Sequence, residues 1–290
     1  MSLIGTLGSG VSALRSFMKG LEVIGNNIAN VNTTGFKSSS AQYVDSFSNI
    51  LQRSSPSSNP TSNSSSITIG TGVQLGAIRS DYSQGSLETT GQGSDLGISG
   101  EGYFHVKNPV DGTEYATRDG SFRWDDQGYL VNSQGFHVQG LTGTGLGTVG
   151  DIKLGTPPNG TQLQSVTIDK GGNVVEFYSD GTSATNNQVQ LQKFIDQSAL
   201  VKEGNNLFSG LIAAGPVGAA AGTSALQAGG VNAPGSNGLG NIQSGTLELS
   251  NVDLTDQFAN LITTQRSFEA GSRLITVSDT ILDDIVNLKH

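Results

Sequence analysis

The stretch "LIGTLGSGVSALRSFMKGLEVIGNNIANVNTTGFK", Leu3 to Lys37, decides the fold. Its apolar residues Ile4, Leu7, Val11, Leu14, Met18, Leu21 and Ile28 fall three and four apart, with Gly25 in the one gap. That spacing lays them along one stripe of an α-helix, the seam of a coiled coil. The helix is weak alone, because Gly5, Gly8, Gly10, Gly20 and Gly25 each cost about 1 kcal/mol against Ala in a helix interior. The same glycines let another backbone come close, so the helix is expected to gain order by packing. Asn26, Asn27, Asn30, Asn32 and Gly35 are expected to end it, since Asn and Gly favour turns over helix interiors.

The other end of the chain reads the same way. Leu254, Leu261, Phe268, Ile275 and Leu282 recur every seven residues. Phe258 and Val286 take the alternate seam positions, as do the polar Gln265, Ser272 and Asp279, while Leu274, Ile281, Ile285 and Leu288 widen the stripe. Asp253 and Asp256 stand where a helix start favours negative charge. A helix from about Leu3 to Asn30 spans roughly 40 Å, and one from about Asp253 to Leu288 roughly 54 Å. Both exceed the usual helix of a compact domain. They are expected to pack lengthwise on each other and on copies of themselves.

Between the ends the pattern changes. "SSPSSNPTSNSSS", Ser54 to Ser66, has neither period nor apolar content and reads as an arm or linker. From Ile67 onward come short β-prone pieces, among them "GYFHV", "GSFRW", "GYLVN" and "GFHVQG", punctuated by the turn signals "DGT", "DDQG" and "NSQG". "SVTID", "NVVEFYS" and "VQLQKF" follow, then a Gly/Ala-rich stretch from Ala213 to Gly240. The expected class is α+β. A discontinuous coiled-coil domain comes from residues 1–37 and 250–290, an extended linker arm from 38–70, and a β-rich domain from 71–249.

Composition excludes several functions. A net charge of -9 with scattered Lys and Arg argues against nucleic acid as a partner. There is no cysteine, so neither a disulfide frame nor thiolate metal ligation is available. "MSLIGTLGSG" lacks the basic, apolar and small-residue regions of a secretory signal, and composition alone points to the cytoplasm. The low-polarity run Leu211 to Gly222 is too short and too rich in Gly and Pro for membrane insertion. No catalytic, cofactor or metal site is expected. His105, His137 and His290 have no ligand spacing, and His105 and His137 read as structural or exposed. "GLGTVG", Gly145 to Gly150, runs into Pro157 and Pro158 where a dinucleotide fold needs a helix. "DDQG" lacks a calcium-loop spacing, and Glu101 has no assignable partner carboxylate. Trp124 reads as a core anchor, and the sequons at Asn32, Asn63 and Asn159 carry no weight.

Three ordered stretches resemble a known family. "VIGNNIANVNTTGFK" resembles the N-terminal signature of bacterial flagellar axial proteins, the rod, hook and hook-associated subunits. "SQGSLETTGQGSDLGISGEGYFHV" and the following "YATRDGSFRWDDQGYLVNSQGFHVQG" resemble its central motif. "GLGNIQSGTLELSNVDLTDQFANLITTQRSF", Gly238 to Phe268, resembles its C-terminal signature. Gly97, Tyr103 and Phe268 depart mildly from the usual Ala, Phe and Tyr.

The resemblance implies a homopolymeric tube whose terminal helices line an axial channel under an outer β layer. It implies contact with other axial proteins (rod, hook cap, hook–filament junction). It also implies export through the flagellar type III apparatus without a cleaved signal peptide, which replaces the cytoplasmic expectation. The motif residues Asn26, Asn27, Asn30, Asn32, Thr34, Gly35, Phe36 and Lys37 would then offer amides to neighbouring subunits and anchor the chain, through Phe36, where it leaves the channel wall. The opening motif looks more hook-like than rod-like, so the expectation is a short hook subunit joining rod to filament. The distal rod is the alternative, and a secreted β-rich binding module or adhesin a more distant one.

Overall fold

The computed structural model describes residues 3–54, 56, 63, 65–143, 145–157, 161–218, 226 and 232–287. The Ile4 side chain, Leu288, His290, Asn159 and much of the Ser-rich and Gly/Ala-rich stretches lie outside the described residues. The chain divides into two compact units. One takes residues 1–29, 38–81 and 252–290; the other takes 30–37 and 82–251.

The first unit holds both long helices, α1 (Leu3–Ala29) and α2 (Leu254–Asn287). They pack antiparallel. Thr6 Oγ1 lies 3.5 Å from Ser278 Oγ near one end, and Asn27 Nδ2 donates to Gln257 Oε1 at 3.0 Å near the other. Asp253 caps α2, its Oδ1 accepting from Thr255 N at 2.7 Å.

The expected arm is a long β-hairpin inside this unit. β1 (Ser39–Asp45) and β2 (Ser48–Gln52) run out, and β3 (Ile67–Gly70) and β4 (Val73–Ser80) return. β1 pairs with β4 and β2 with β3, with a bulge between Gln42 and Tyr43. Ser46 N to Gly72 O (2.8 Å) and Thr71 N to Phe47 O (2.8 Å) carry the ladder across the break. The boundaries expected at 37/38 and 70/71 therefore shift. Residues 38–81 join the helices because β4 closes on β1, and 30–37 belong to the β-rich unit.

The second unit is built on antiparallel strand pairs, with one short 3-10 helix at Gln197–Ala199. Its strands are β5 (Leu87–Thr89), β6 (Leu96–Ser99), β7 (Tyr103–Lys107), β8 (Glu114–Thr117), β9 (Arg123–Trp124), β10 (Leu130–Val131), β11 (His137–Thr142) and β12 (Thr148–Asp151). They continue as β13 (Leu163–Ile168), β14 (Asn173–Tyr178), β15 (Ser183–Val189), β16 (Leu191–Gln192), β17 (Val201–Gly204), β18 (Leu207–Ser209), β19 (Asn241–Ser244) and β20 (Thr246–Glu248). The main sheet runs β13-β14-β15-β11-β7-β8-β18-β17, while β19 pairs with β6 and β20 with β5.

Strand β7 shows why the unit folds. Its side chains alternate, so Phe104 and Val106 enter one apolar cluster with Leu96, Leu130 and Ile242, while Tyr103 enters a second with Phe194 and Phe208. Trp124 is half-buried and packs against the first cluster from its edge. The three expected turns follow from glycine backbones in the left-handed region: Gly112 (φ 69), Gly128 (φ 83) and Gly135 (φ 83).

Candidate assembly interface

The helix seam differs from the expected one in half its positions. On α2, Leu261, Phe268, Ile275 and Leu282 are half-buried. The alternate inward positions are Gln257, Thr264, Gly271 and Ser278, three residues on from each leucine-type position rather than four. Phe258 and Val286, placed on the seam by sequence, are exposed, as is Leu254 at the start of α2. The reason is close packing: a Cβ on Gly10 of α1 would stand 3.1 Å from Ile275 Cγ1, and one on Gly271 would stand 3.2 Å from Leu14 Cδ2. Small residues here let the helix axes approach; Phe258 would hold them apart.

On α1, Leu7, Leu14, Leu21 and Ile28 are half-buried, but Val11 and Met18 are exposed. A serine ladder on α1 binds the arm instead of an apolar stripe. Ser9 Oγ donates to Thr71 O (3.1 Å), Ser12 Oγ accepts from Val73 N (3.3 Å), and Ser16 Oγ donates to Val73 O (3.2 Å). Gly20 faces Tyr43, whose hydroxyl leaves no room for a Cβ there. Asn27, 1% exposed, ties three segments of this unit: its Nδ2 donates to Ser39 O and Gln257 Oε1, and its Oδ1 accepts from Ser39 N at 3.0 Å.

The motif from Asn30 to Lys37 belongs to the β-rich unit. Asn26 and Asn32 are exposed, and Thr33 N donates to Asn30 O at 3.2 Å. Thr34 Oγ1 donates to Asp119 Oδ1 at 2.9 Å, and Thr34 O accepts from Asn206 Nδ2 at 2.7 Å. Gly35 has φ 66, and a Cβ there would meet Asp119 N at 2.7 Å. Phe36 lies under Lys202 Nζ, 5.2 Å from the ring centroid.

Lys37 is the centre of a buried ion cluster. Its Nζ donates to Glu248 Oε1 (2.6 Å) and to Ser83 O (2.7 Å). Glu248 Oε1 also accepts from Gly85 N (2.9 Å), and Glu248 Oε2 accepts from Arg118 Nη1 (3.1 Å). Arg118 Nη2 donates to Gly100 O (3.0 Å), and its guanidinium lies 5.1 Å from the Tyr103 ring centroid. All three ionic side chains are buried, so one carboxylate neutralises cations from two distant segments. Sequence reasoning gave Arg118 and Glu248 no role. The available signal was a lone carboxylate inside the alternating "TLELS".

Large apolar side chains stay exposed on the helical unit. They include Val11, Met18, Phe258, Ile262, Leu274, Val277, Ile281, Ile285 and Val286 on the helices, and Phe47, Ile50, Leu51 and Ile67 on the arm. Phe47 is 84% exposed. No described helix is long and apolar enough to cross a membrane. Monomeric soluble proteins rarely expose this much contiguous apolar surface.

Comparison with known proteins names the family. The model described as "Flagella basal body rod protein" matches residues 7–37, "Flagellar hook protein FlgE/F/G D1 domain" matches 97–176, and "Flagellar basal body rod FlgEFG protein C-terminal" matches 243–288. "Flagellar basal-body rod protein FlgG" of Bacillus subtilis (strain 168) is 38% identical over 288 residues, 99% of this chain and 100% of its own. The chain belongs to the flagellar rod and hook protein family. The same-named protein of Caulobacter vibrioides is 33% identical over 294 residues, covering 100% of both chains. "Flagellar hook protein FlgE" of Helicobacter pylori is 36% identical over 173 residues, 58% of this chain and 24% of its own.

Lys37, Arg118 and Glu248 each fall in a different one of the three family matches. The buried ion cluster thus joins one residue from each of the three matched segments. The family is structural rather than enzymatic, and membership implies self-assembly alongside other axial proteins of the flagellum.

Proposed function

We propose that this chain is a repeating subunit of the distal rod of the flagellar basal body. The observation that carries the reading is the end-to-end match, at 38% identity, to a protein named as a basal-body rod subunit. This reading prefers the distal-rod alternative to the hook expectation. The hook relative matches 58% of this chain and 24% of its own length, whereas the rod relatives run the whole length. The rod-protein model that matches residues 7–37, the stretch holding the motif read as hook-like, supports the same choice.

In this reading the helical unit lines the axial channel and the β-rich unit forms the outer wall. The exposed residues of the two helices, Val11, Met18, Leu254, Phe258 and Val286 among them, serve contacts with sister subunits. Leu7, Leu14, Leu21, Leu261, Phe268, Ile275 and Leu282 hold each subunit's own helix pair. The glycine-weakened α1 suits a chain that passes the flagellar export apparatus unfolded and orders on arrival. The exposed apolar helix faces support assembly over a monomeric adhesin. The test is immunogold labelling of an epitope-tagged chain in isolated basal bodies. Label on the rod, below the hook, is expected; label along the hook would overturn the rod reading.

A further inference from the structure

The helical unit carries unpaired charge of opposite sign at different heights. The N-terminal two-thirds of α1 has Arg15 and Lys19 as its charged residues. The last stretch of α2, from Ile275 to Asn287, has Asp279, Asp283 and Asp284. Lys19 is engaged at 2.7 Å by Glu22 on its own helix. Among the described residues, Arg15 and the three aspartates have no ion-pair partner.

Antiparallel pairing fixes their relative heights. Thr6 meets Ser278, Gly10 meets Ile275, and Asn27 meets Gln257. On that register Arg15 lies about 15 residues, roughly 22 Å, above Asp284 along the bundle axis. No side chain spans that distance inside one subunit. Beside Arg15 lies a groove of about 610 Å³ lined by Leu7, Val11, Lys19, Val73 and Leu75. The acidic end of α2 presents the exposed Val277, Ile281 and Ile285, an apolar stripe with acidic neighbours that matches an apolar groove with basic neighbours.

We propose that the acidic end of α2 in one subunit docks along the Arg15 groove of α1 in a second copy, displaced along the axis by about 20 Å. The proposal rests on the self-assembling reading above and specifies its geometry. Because the second copy is displaced along the axis rather than turned about a two-fold, the contact is head-to-tail and does not close on itself in a dimer.

The test uses the full chain, which has no cysteine of its own. Arg15→Cys and Asp284→Cys are combined and oxidised under conditions where the unaltered chain assembles. A ladder of covalent oligomers from the assembled material is expected, and neither single variant gives it. Arg15→Glu should raise the concentration needed for assembly about tenfold or more, and Asp283→Lys with Asp284→Lys in the same chain should restore it. If the unaltered chain assembles, while the double-cysteine variant gives no ladder and Arg15→Glu assembles normally, the docking geometry is wrong and the subunit reading stands. If the unaltered chain never assembles, the subunit reading itself fails.

Discussion

Lys37 Nζ stands 2.6 Å from Glu248 Oε1, with both side chains at zero exposure, and the two residues are 211 positions apart. With Arg118 on the other carboxylate oxygen, the pair closes the β-rich unit around the point where the chain enters and leaves it. Removing the carboxylate strands two cations in a dry interior.

Glu248→Gln should therefore destabilise the β-rich unit by about 3–5 kcal/mol. The chain has one tryptophan, Trp124, and it sits in this unit, so its fluorescence during denaturant unfolding reads the effect. A loss under about 1 kcal/mol would mean that the cluster is not holding the fold.

Gly35 tests the same region through the backbone. Its φ of 66 and the 2.7 Å approach of a would-be Cβ to Asp119 N leave no place for a side chain. Gly35→Ala should cost about 1–2 kcal/mol from the left-handed backbone alone, and more from the clash. Trp124 unfolding measures it, and an unchanged midpoint would contradict the structure.

The glycines of α1 divide into two kinds. Gly25 has open space where a Cβ would go, while Gly20 has the Tyr43 hydroxyl there. Gly25→Ala should raise helicity and stabilise α1 by about 1 kcal/mol. Gly20→Ala should lose that gain by displacing Tyr43. Thermal melts followed by circular dichroism compare the two, and equal stabilisation by both would remove Tyr43 from the account.

His105 makes the β-rich unit acid-sensitive. Burial pushes its pKa down to about 4 from an ordinary 6.5, with Lys107 acting in the same direction and Glu114 opposing. Because the folded value lies below the unfolded one, the unfolded chain binds the proton more tightly. Stability is then full above pH 6.5 and falls as pH drops toward 4, by up to about 3 kcal/mol. His105→Leu should flatten that slope in Trp124-monitored unfolding. A variant with the same pH dependence as the parent would show that another group titrates there.

The two helices were legible because Leu7, Leu14 and Leu21 and Leu261, Phe268 and Ile275 repeat at heptad spacing. The other half of the seam was hidden, since Gly10, Gly271, Thr264, Ser278 and Gln257 carry no apolar signal. A search for hydrophobic residues finds Phe258 and Val286 instead, which face outward. The arm was misread for a related reason. β1 and β2 are mostly exposed along their length, so burial imposes no alternation on their sequence. The ion cluster unites residues from three remote segments, and a single sequence gives no sign that Lys37, Arg118 and Glu248 meet. The Asn-rich motif was visible as a helix end, but its role as an internal knot depends on those partners.

The central claim is that the helical unit is completed by sister subunits in a rod. Electron cryo-microscopy of assembled full-length chain tests it most directly. The account predicts straight hollow tubes with α1 and α2 in the innermost layer, and neighbouring copies covering Met18, Phe258 and Ile281. Material that stays monomeric at high concentration, or tubes in which those residues remain in solvent, would contradict it.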